Sequence, residues 1–194
     1  MSLALSCATR PCTGQSECGD RCGWWATPAR IVMAVADGLG HGPEAAYAAE
    51  ISMACIGAGL DRPFVDIFAA CDRRLRDTRG VALAVAVVTI DTEQITVASV
   101  GNIRTVLLKA DRDYRFGASR GIVGGGYARL TPEVRTLACG DVLALFSDGV
   151  DEFSTLRETL NETTHLSTDQ ASAVLTRWAR PDDDAAVLIY RHAA

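Results

Sequence analysis

The sequence predicts an α+β fold, an α-β-β-α sandwich of two mainly antiparallel sheets with helices packed outside. Three observations carry that expectation. Short apolar runs rich in β-branched residues, at 31–36, 81–90 and 142–146, have the length and composition of buried strands. Strand-like runs between 81 and 109 follow one another across turns of two or three residues, which join antiparallel neighbours. Helical periodicity comes in two blocks, 43–78 and 150–179, on either side of the strand-rich middle.

Taken in order, residues 2–9 alternate loosely and are read as an edge strand. A polar loop from 13 to 20 ends in Gly19-Asp20. Residues 22–26 form a second strand, with Trp24 and Trp25 on opposite faces. Thr27-Pro28 turns the chain into the central strand 31–36, and the resulting hairpin brings Asp20 and Asp37 to one end of a sheet. Pro43 suits the first position of a helix over 43–58 and Glu44 suits its first turn, while Gly57 and Gly59 end it. A second helix, 63–78, places Phe64, Ile67, Phe68, Cys71 and Leu75 on one face. Strands 81–90, 95–100 and 103–109 read as a meander, turned at 91–93 and at Gly101-Asn102. Residues 114–127 are a loop with five glycines, and 128–137 a strand that Pro132 can break. After the strand 142–146 come helices at 150–160 and 169–179 and a last strand at 185–190. With no repeat, linker or low-complexity segment, one domain spanning 1–194 is expected.

Composition narrows the function classes. A net charge of −5 argues against a nucleic-acid partner and against an anionic membrane surface. No apolar run approaches the ~18 residues of a membrane span. The first residues lack the basic and apolar regions of a signal peptide, so the chain is read as cytoplasmic. Seven cysteines is an odd number, and Cys7, Cys12, Cys18 and Cys22 contain no C-x-x-C pair, which suits neither a disulfide framework nor a zinc site.

The stretch 31–44 organises the chain. An apolar strand ends in Asp37, then Gly38, Gly40 and Gly42 allow a tight turn, then a helix begins. Read alone, this is a strand-to-helix turn with Asp37 either capping it or holding a metal ion. Related acidic points recur: Asp20 after a glycine, Asp148 after the strand 142–146, and Asp183-Asp184 just before the last strand. Each alone is an ordinary turn aspartate. Together at one sheet end they would repel one another without a counter-ion. Oxygen-only ligands select Mg²⁺ or Mn²⁺. Two such ions about 3.5–4 Å apart activate water and clamp a transferring phosphoryl group. With no evident serine–histidine or cysteine–histidine pair, water is the expected nucleophile of a phosphate-ester hydrolysis.

An ordered set of motifs runs over nearly the whole chain: Gly19-Asp20, Asp37-Gly38-Leu39-Gly40-His41-Gly42, Gly101-Asn102, Gly121-Ile122-Val123-Gly124, Gly140-Asp141, Ser147-Asp148-Gly149 and Asp183-Asp184. The set resembles the metal-dependent protein phosphatases of the type 2C class, in their bacterial SpoIIE-type branch. That resemblance implies a β-sandwich flanked by helices. It implies hydrolysis of phosphoserine or phosphothreonine with two Mn²⁺ or Mg²⁺ ions. It makes Asp20 and Asp37 the catalytic metal ligands, Asp37 bridging, with the Gly38 carbonyl as a further ligand. Asp148 and Asp183, with the adjacent Asp184, complete the metal shell. Size and the string 37–45 most resemble the small stand-alone stressosome feedback phosphatases of the sigma-B pathway. Their implied substrates are phosphorylated STAS-domain scaffold proteins.

The chain departs from the family pattern in places. Ala186 stands where the last motif usually carries a threonine, which touches a hydrogen bond behind the ligands. Leu39 follows Asp37-Gly38 where the eukaryotic branch has a histidine; His41 is read as a helix-start residue, with general acid as the alternative. Arg10 and Arg21 are phosphate-gripping candidates by proximity to Asp20 alone. The flap of longer members shrinks to 116–127 at most, predicting an open site without a third metal and selectivity through protein docking. Two other classes compete: a catalytically impaired docking module, left open by Ala186, and a GHKL-type nucleotide-binding protein, which would leave Asp148 and Asp183 unexplained.

Overall fold

Alternation along β3 (Arg30–Gly38) decides how the layers stack. Ile31, Met33 and Val35 point to one face, and Val32, Ala34 and Ala36 to the other; all six are buried. A strand buried on both faces needs cover on both, and the rest of the chain supplies it. The computed structural model describes residues 4–151 and 170–193.

Chain order is β1 (Leu5–Arg10), β2 (Asp20–Ala26), β3, α1 (Pro43–Gly57), α2 (Phe64–Arg74), β4 (Val81–Thr89), β5 (Gln94–Val100) and β6 (Arg104–Leu108). Then come β7 (Asp113–Arg115), β8 (Gly121–Ile122), β9 (Gly126–Tyr127), β10 (Glu133–Thr136), β11 (Val142–Phe146), α3 (Gln170–Trp178) and β12 (Ala185–Arg191). One sheet has the order β10-β5-β4-β3-β2, the other β1-β12-β11-β6-β7, and β8 and β9 form a small hairpin apart. The strand pairs within these sheets are antiparallel.

Three apolar layers follow. Met33, Val35, Leu107, Leu143, Leu145 and Leu188 fill the space between the sheets. Val32, Ala34, Leu83 and Val85 pack under Ala48, Ile56, Phe68 and Leu75 of the α1–α2 region. Val106, Ala144, Val187 and Ile189 pack under Ala171, Val174 and Leu175 of α3. The expected α-β-β-α sandwich is therefore the observed one. Trp25 packs against the α1 side, beside Gly57, while Trp24 is exposed, as strand parity predicts.

Three expectations are corrected. The meander stops at β5: β4 pairs with β5, but β6 pairs with β11 and β7 in the other sheet. The turn between them takes Gly101 to φ +93, where a Cβ would lie 2.6 Å from the Ala82 Cβ. This tight turn carries the chain across the sandwich instead of back along the same sheet. The strand expected over 128–137 is confined to β10, which begins directly after Pro132; proline has no N–H for the ladder. The loop read over 114–127 contains the β8–β9 hairpin and the end of β7. The helix expected at 150–160 lies, from 152 onward, outside the described residues.

Leu143 is fully buried between the sheets. Leu143→Ala should lower unfolding free energy by about 2–5 kcal/mol with little change in denaturant slope, measured by urea titration.

Candidate active site

The β2–β3 hairpin places Asp20 directly opposite Asp37. Asp37 continues the parity of Ile31, Met33 and Val35, so it faces the space between the sheets, at the end where that space opens. Just beyond it the first turn of α1 lies against the strand: a Cβ on Gly38 would come within 2.2 Å of the Ala45 carbonyl oxygen. Only glycine permits that approach, and it fixes the helix over the strand end. Asp148 follows β11 and Asp183 precedes β12, neighbouring strands of the opposite sheet.

These ends form a cleft of about 570 Å³ lined by Asp37, Asp148 and Asp183, together with Leu39, Gly40, His41, Asn102, Arg120, Gly121 and Ile122. Asp20 and Asp184 do not line it. Asp20 is 1% exposed and Asp184 3%, both behind the cleft wall. One Asp184 oxygen accepts the Cys12 N–H at 2.9 Å. The other Asp184 oxygen and one Asp20 oxygen are buried with no hydrogen-bond partner. Gly38 donates its N–H to the Gly19 carbonyl at 3.2 Å and does not line the cleft.

Crowding of like charge shapes the electrostatics. Burial first, then Asp20, Asp148 and Asp183, push the Asp37 carboxyl up to about 9; a hydrogen bond with Asp148 adds to this. Burial pushes Asp20 up to about 7, against a hydrogen bond from Ser147, with Asp184, Asp183 and Asp148 raising it further. Burial and Asp148 also raise Asp183, while Arg180, 3.1 Å away, opposes the shift. Asn102 donates to Asp148 at 2.7 Å.

The donor set fits hard divalent cations. It is all oxygen, it contains buried carboxylate oxygens without partners, and burial together with like-charged neighbours raises the Asp20 and Asp37 carboxyls, which a bound cation would offset. Among the described residues no three such side chains close directly around one point.

Sequence reasoning missed three contributors. Arg120 is exposed, lines the cleft, and has no side-chain hydrogen bond or ion pair among the described residues. Arg10 and Arg21 are instead taken up elsewhere: Arg10 by the Ala179 and Arg180 carbonyls, Arg21 by the Cys18 and Asp20 carbonyls and Glu50. Ser147 bonds Asp20 and accepts the Ala186 N–H at 2.9 Å, so a hydroxyl reaches this ligand region although residue 186 has none. Asn102 orients Asp148. The available signal was position: Arg120 directly precedes the Gly121–Gly124 motif, and Ser147 and Asn102 lie inside quoted motifs.

The family model for stage II sporulation protein E (SpoIIE) matches residues 27–193. The chain therefore belongs to the SpoIIE family, the bacterial branch of the type 2C phosphatase fold. It is 29% identical to the phosphoserine phosphatase RsbX of Bacillus subtilis (strain 168) over 94 residues, 48% of this chain and 47% of RsbX. The match thus spans about half the length of that curated relative. A solved structure from work on the bacterial stressosome, a modular system adapted to control secondary messenger signaling, is 33% identical. It superposes with a TM-score of 0.93 over 98% of this chain and 100% of that one. The crystal structure of RsbX in complex with magnesium shares the fold, with a TM-score of 0.83 at 22% identity over 97% and 94% of the two chains. Among the described residues no helix is long and apolar enough to cross a membrane.

Because the folded pKa values of Asp20 and Asp37 lie above the unfolded value near 4, their favourable contribution to the metal-free fold is complete below pH ~4. It is lost as pH rises through about 7 and about 9. Metal-free protein should therefore lose thermal stability between pH 5 and 9 through these groups. Asp37→Asn should flatten that loss, and Mn²⁺ should raise Tm of the wild type more at pH 8.5 than at pH 6, read by differential scanning fluorimetry.

Proposed function

We propose that this chain is a divalent-metal-dependent protein phosphatase, acting as one catalytic domain over 1–194, that hydrolyses phosphoserine or phosphothreonine. The observation that carries the reading is the convergence in one open cleft of Asp37, Asp148 and Asp183 with Arg120, whose guanidinium has no partner among the described residues. Asp37, Asp148 and Asp183 would hold two Mn²⁺ or Mg²⁺ ions, with Asp20, the Gly38 carbonyl and Asp184 supporting them from behind. When bound, such ions polarise phosphoryl oxygens and make water acidic enough to act as a nucleophile near neutral pH.

The chain's own groups do the rest. Arg120 offers a guanidinium fork to the substrate phosphate, a geometry arginine matches in two parallel hydrogen bonds. Asn102 fixes the orientation of Asp148 through its 2.7 Å bond. Ser147 holds Asp20 and ties β11 to β12 by accepting the Ala186 N–H. In the reaction, water oxygen bonds phosphorus, the phosphorus–seryl oxygen bond breaks, and a proton goes to the seryl oxygen. Among the described residues His41 is the imidazole that lines the cleft, and we assign it as the candidate donor of that proton. The substrates we infer are phosphorylated STAS-domain proteins of a stressosome, which would make the chain a negative-feedback element in stress signalling. The relationship to RsbX and to the stressosome-derived structure supports this assignment.

The test is hydrolysis of p-nitrophenyl phosphate and a phosphoserine peptide with Mn²⁺, Mg²⁺ or EDTA. Turnover should require the metal and fall by orders of magnitude in Asp37→Asn. Arg120→Ala should lower kcat/KM by about 10- to 100-fold, the worth of a charge-assisted hydrogen bond. If phosphorylated STAS proteins and both compounds stay intact while metal binds, a docking module replaces the enzyme.

A further inference from the structure

A second groove, about 900 Å³, runs beside the cleft between α2 and the β8–β9 hairpin. One wall is a stripe of α2, Val65, Ala69, Asp72 and Arg73, spaced to face one way, continued by Arg76 in the turn that follows the helix. The other is Tyr127, Ala128, Arg129, Leu130 and Pro132. The groove has two chemistries. Its apolar lining is Val65, 60% exposed, with Ala69, Leu130 and Pro132. Arg73, Arg76 and Arg129 form a basic part and make no ion pair or side-chain hydrogen bond among the described residues. The acidic group in the lining, Asp72, is engaged by the Gly124 N–H at 2.8 Å. On a chain of net charge −5, three arginines lining one groove against a single carboxylate are a local inversion of sign among the described residues.

The groove is also joined to the cleft. Gly121 and Ile122 of β8 line the cleft, while their partners Tyr127 and Gly126 of β9 line the groove. The two depressions are thus separated by one hairpin, about 5 Å between its strands. That ridge is pinned: Val123 exchanges both backbone hydrogen bonds with Val81 at 3.0 Å, and Gly124 is held by Asp72. Across its base, the Ala128 N–H bonds the Arg120 carbonyl at 2.8 Å, so cleft Arg120 and groove Arg129 belong to one rigid unit.

Building on the phosphatase reading, we propose that this groove docks an acidic segment of the phosphoprotein substrate, with one apolar anchor residue, while its phosphoserine enters the cleft. The arginines match carboxylates, and the Val65–Leu130 part accepts the anchor. Selectivity then comes from sequence around the phosphoserine, beyond the ridge, and not from the open cleft.

The experiment uses the full chain and two fluorescent phosphoserine peptides that differ in their flanks, one Asp/Glu-rich with a leucine, the other Gly/Ser-rich. Binding is read by anisotropy in EDTA and turnover with Mn²⁺. The wild type should bind the acidic peptide at least ~10-fold tighter, with the advantage shrinking as salt rises. The R73S/R76S/R129S variant should lose that advantage with unchanged p-nitrophenyl phosphate turnover and unchanged Tm. Val65→Ser should lose part of it. Equal binding of the two peptides by the wild type, or an advantage that survives the triple variant, overturns the docking groove. So does groove-dependent binding of phosphatidylglycerol vesicles without peptide preference, which would make the face a membrane contact. Groove-dependent peptide binding with no turnover of any phosphoester would keep the groove and refute the phosphatase.

Discussion

Mutual repulsion among buried and half-buried carboxylates at one end of a sandwich is the constraint on which the rest of the structure turns. Antiparallel register puts Asp20 across from Asp37, and the two sheets bring Asp148 and Asp183 up to face them. Nothing in the apolar layers requires four acids there. The fold tolerates them because they sit where strands leave the core, and because Asn102, Ser147, Arg180 and the Cys12 N–H each engage one of the acids or Asp184. Those contacts are incomplete: Asp20 and Asp184 each keep a buried oxygen without a partner. An arrangement left short of positive charge in this way stores affinity for a cation, and a site for cations is what a phosphoryl-transfer centre needs.

Rigidity around the site has a plain origin. β3 is buried on both faces, so the strand carrying Asp37 is held firmly between its neighbours in the sheet and the layers above and below. Gly38 lets α1 close over its end, and Gly101 lets the chain cross between sheets beside Ala82. The backbone thereby sets the relative positions of Asp37, Asn102 and Asp148, and the Asn102–Asp148 hydrogen bond adds to it, while the arginines sit on exposed loops and the α2 surface. The division between a stiff acidic floor and a basic, exposed margin suits recognition of a phosphate carried on a folded partner.

Much of this was legible in the sequence, and the misses have physical reasons. Period and composition located β3, β4, β11, α1 and α3 to within a residue or two, because each is buried strongly on a defined face. The pairing of Asp20 with Asp37 followed from strand parity across a short turn. The crossing at Gly101 was not legible, since a two-residue turn looks alike whether it returns to its own sheet or passes to another. Arg120 was hidden for a related reason. Its role depends on the β8–β9 hairpin folding back toward the cleft, a non-local contact made through Val81 and Asp72. Arg10 and Arg21 looked nearer in sequence, yet their guanidinium groups satisfy backbone carbonyls. Asp184, adjacent to Asp183, accepts the Cys12 N–H of the N-terminal loop instead of lining the cleft, in a turn ahead of β12 whose direction strand alternation does not set.

The central claim is that the carboxylate cluster is a divalent-cation centre. Anomalous diffraction from crystals soaked in Mn²⁺ at pH 8 tests it most directly. The account predicts anomalous peaks in the cleft beside Asp37, Asp148 and Asp183, absent in Asp37→Asn crystals treated alike. Ordered crystals with no peak in the cleft, or with manganese bound only elsewhere on the surface, would contradict it.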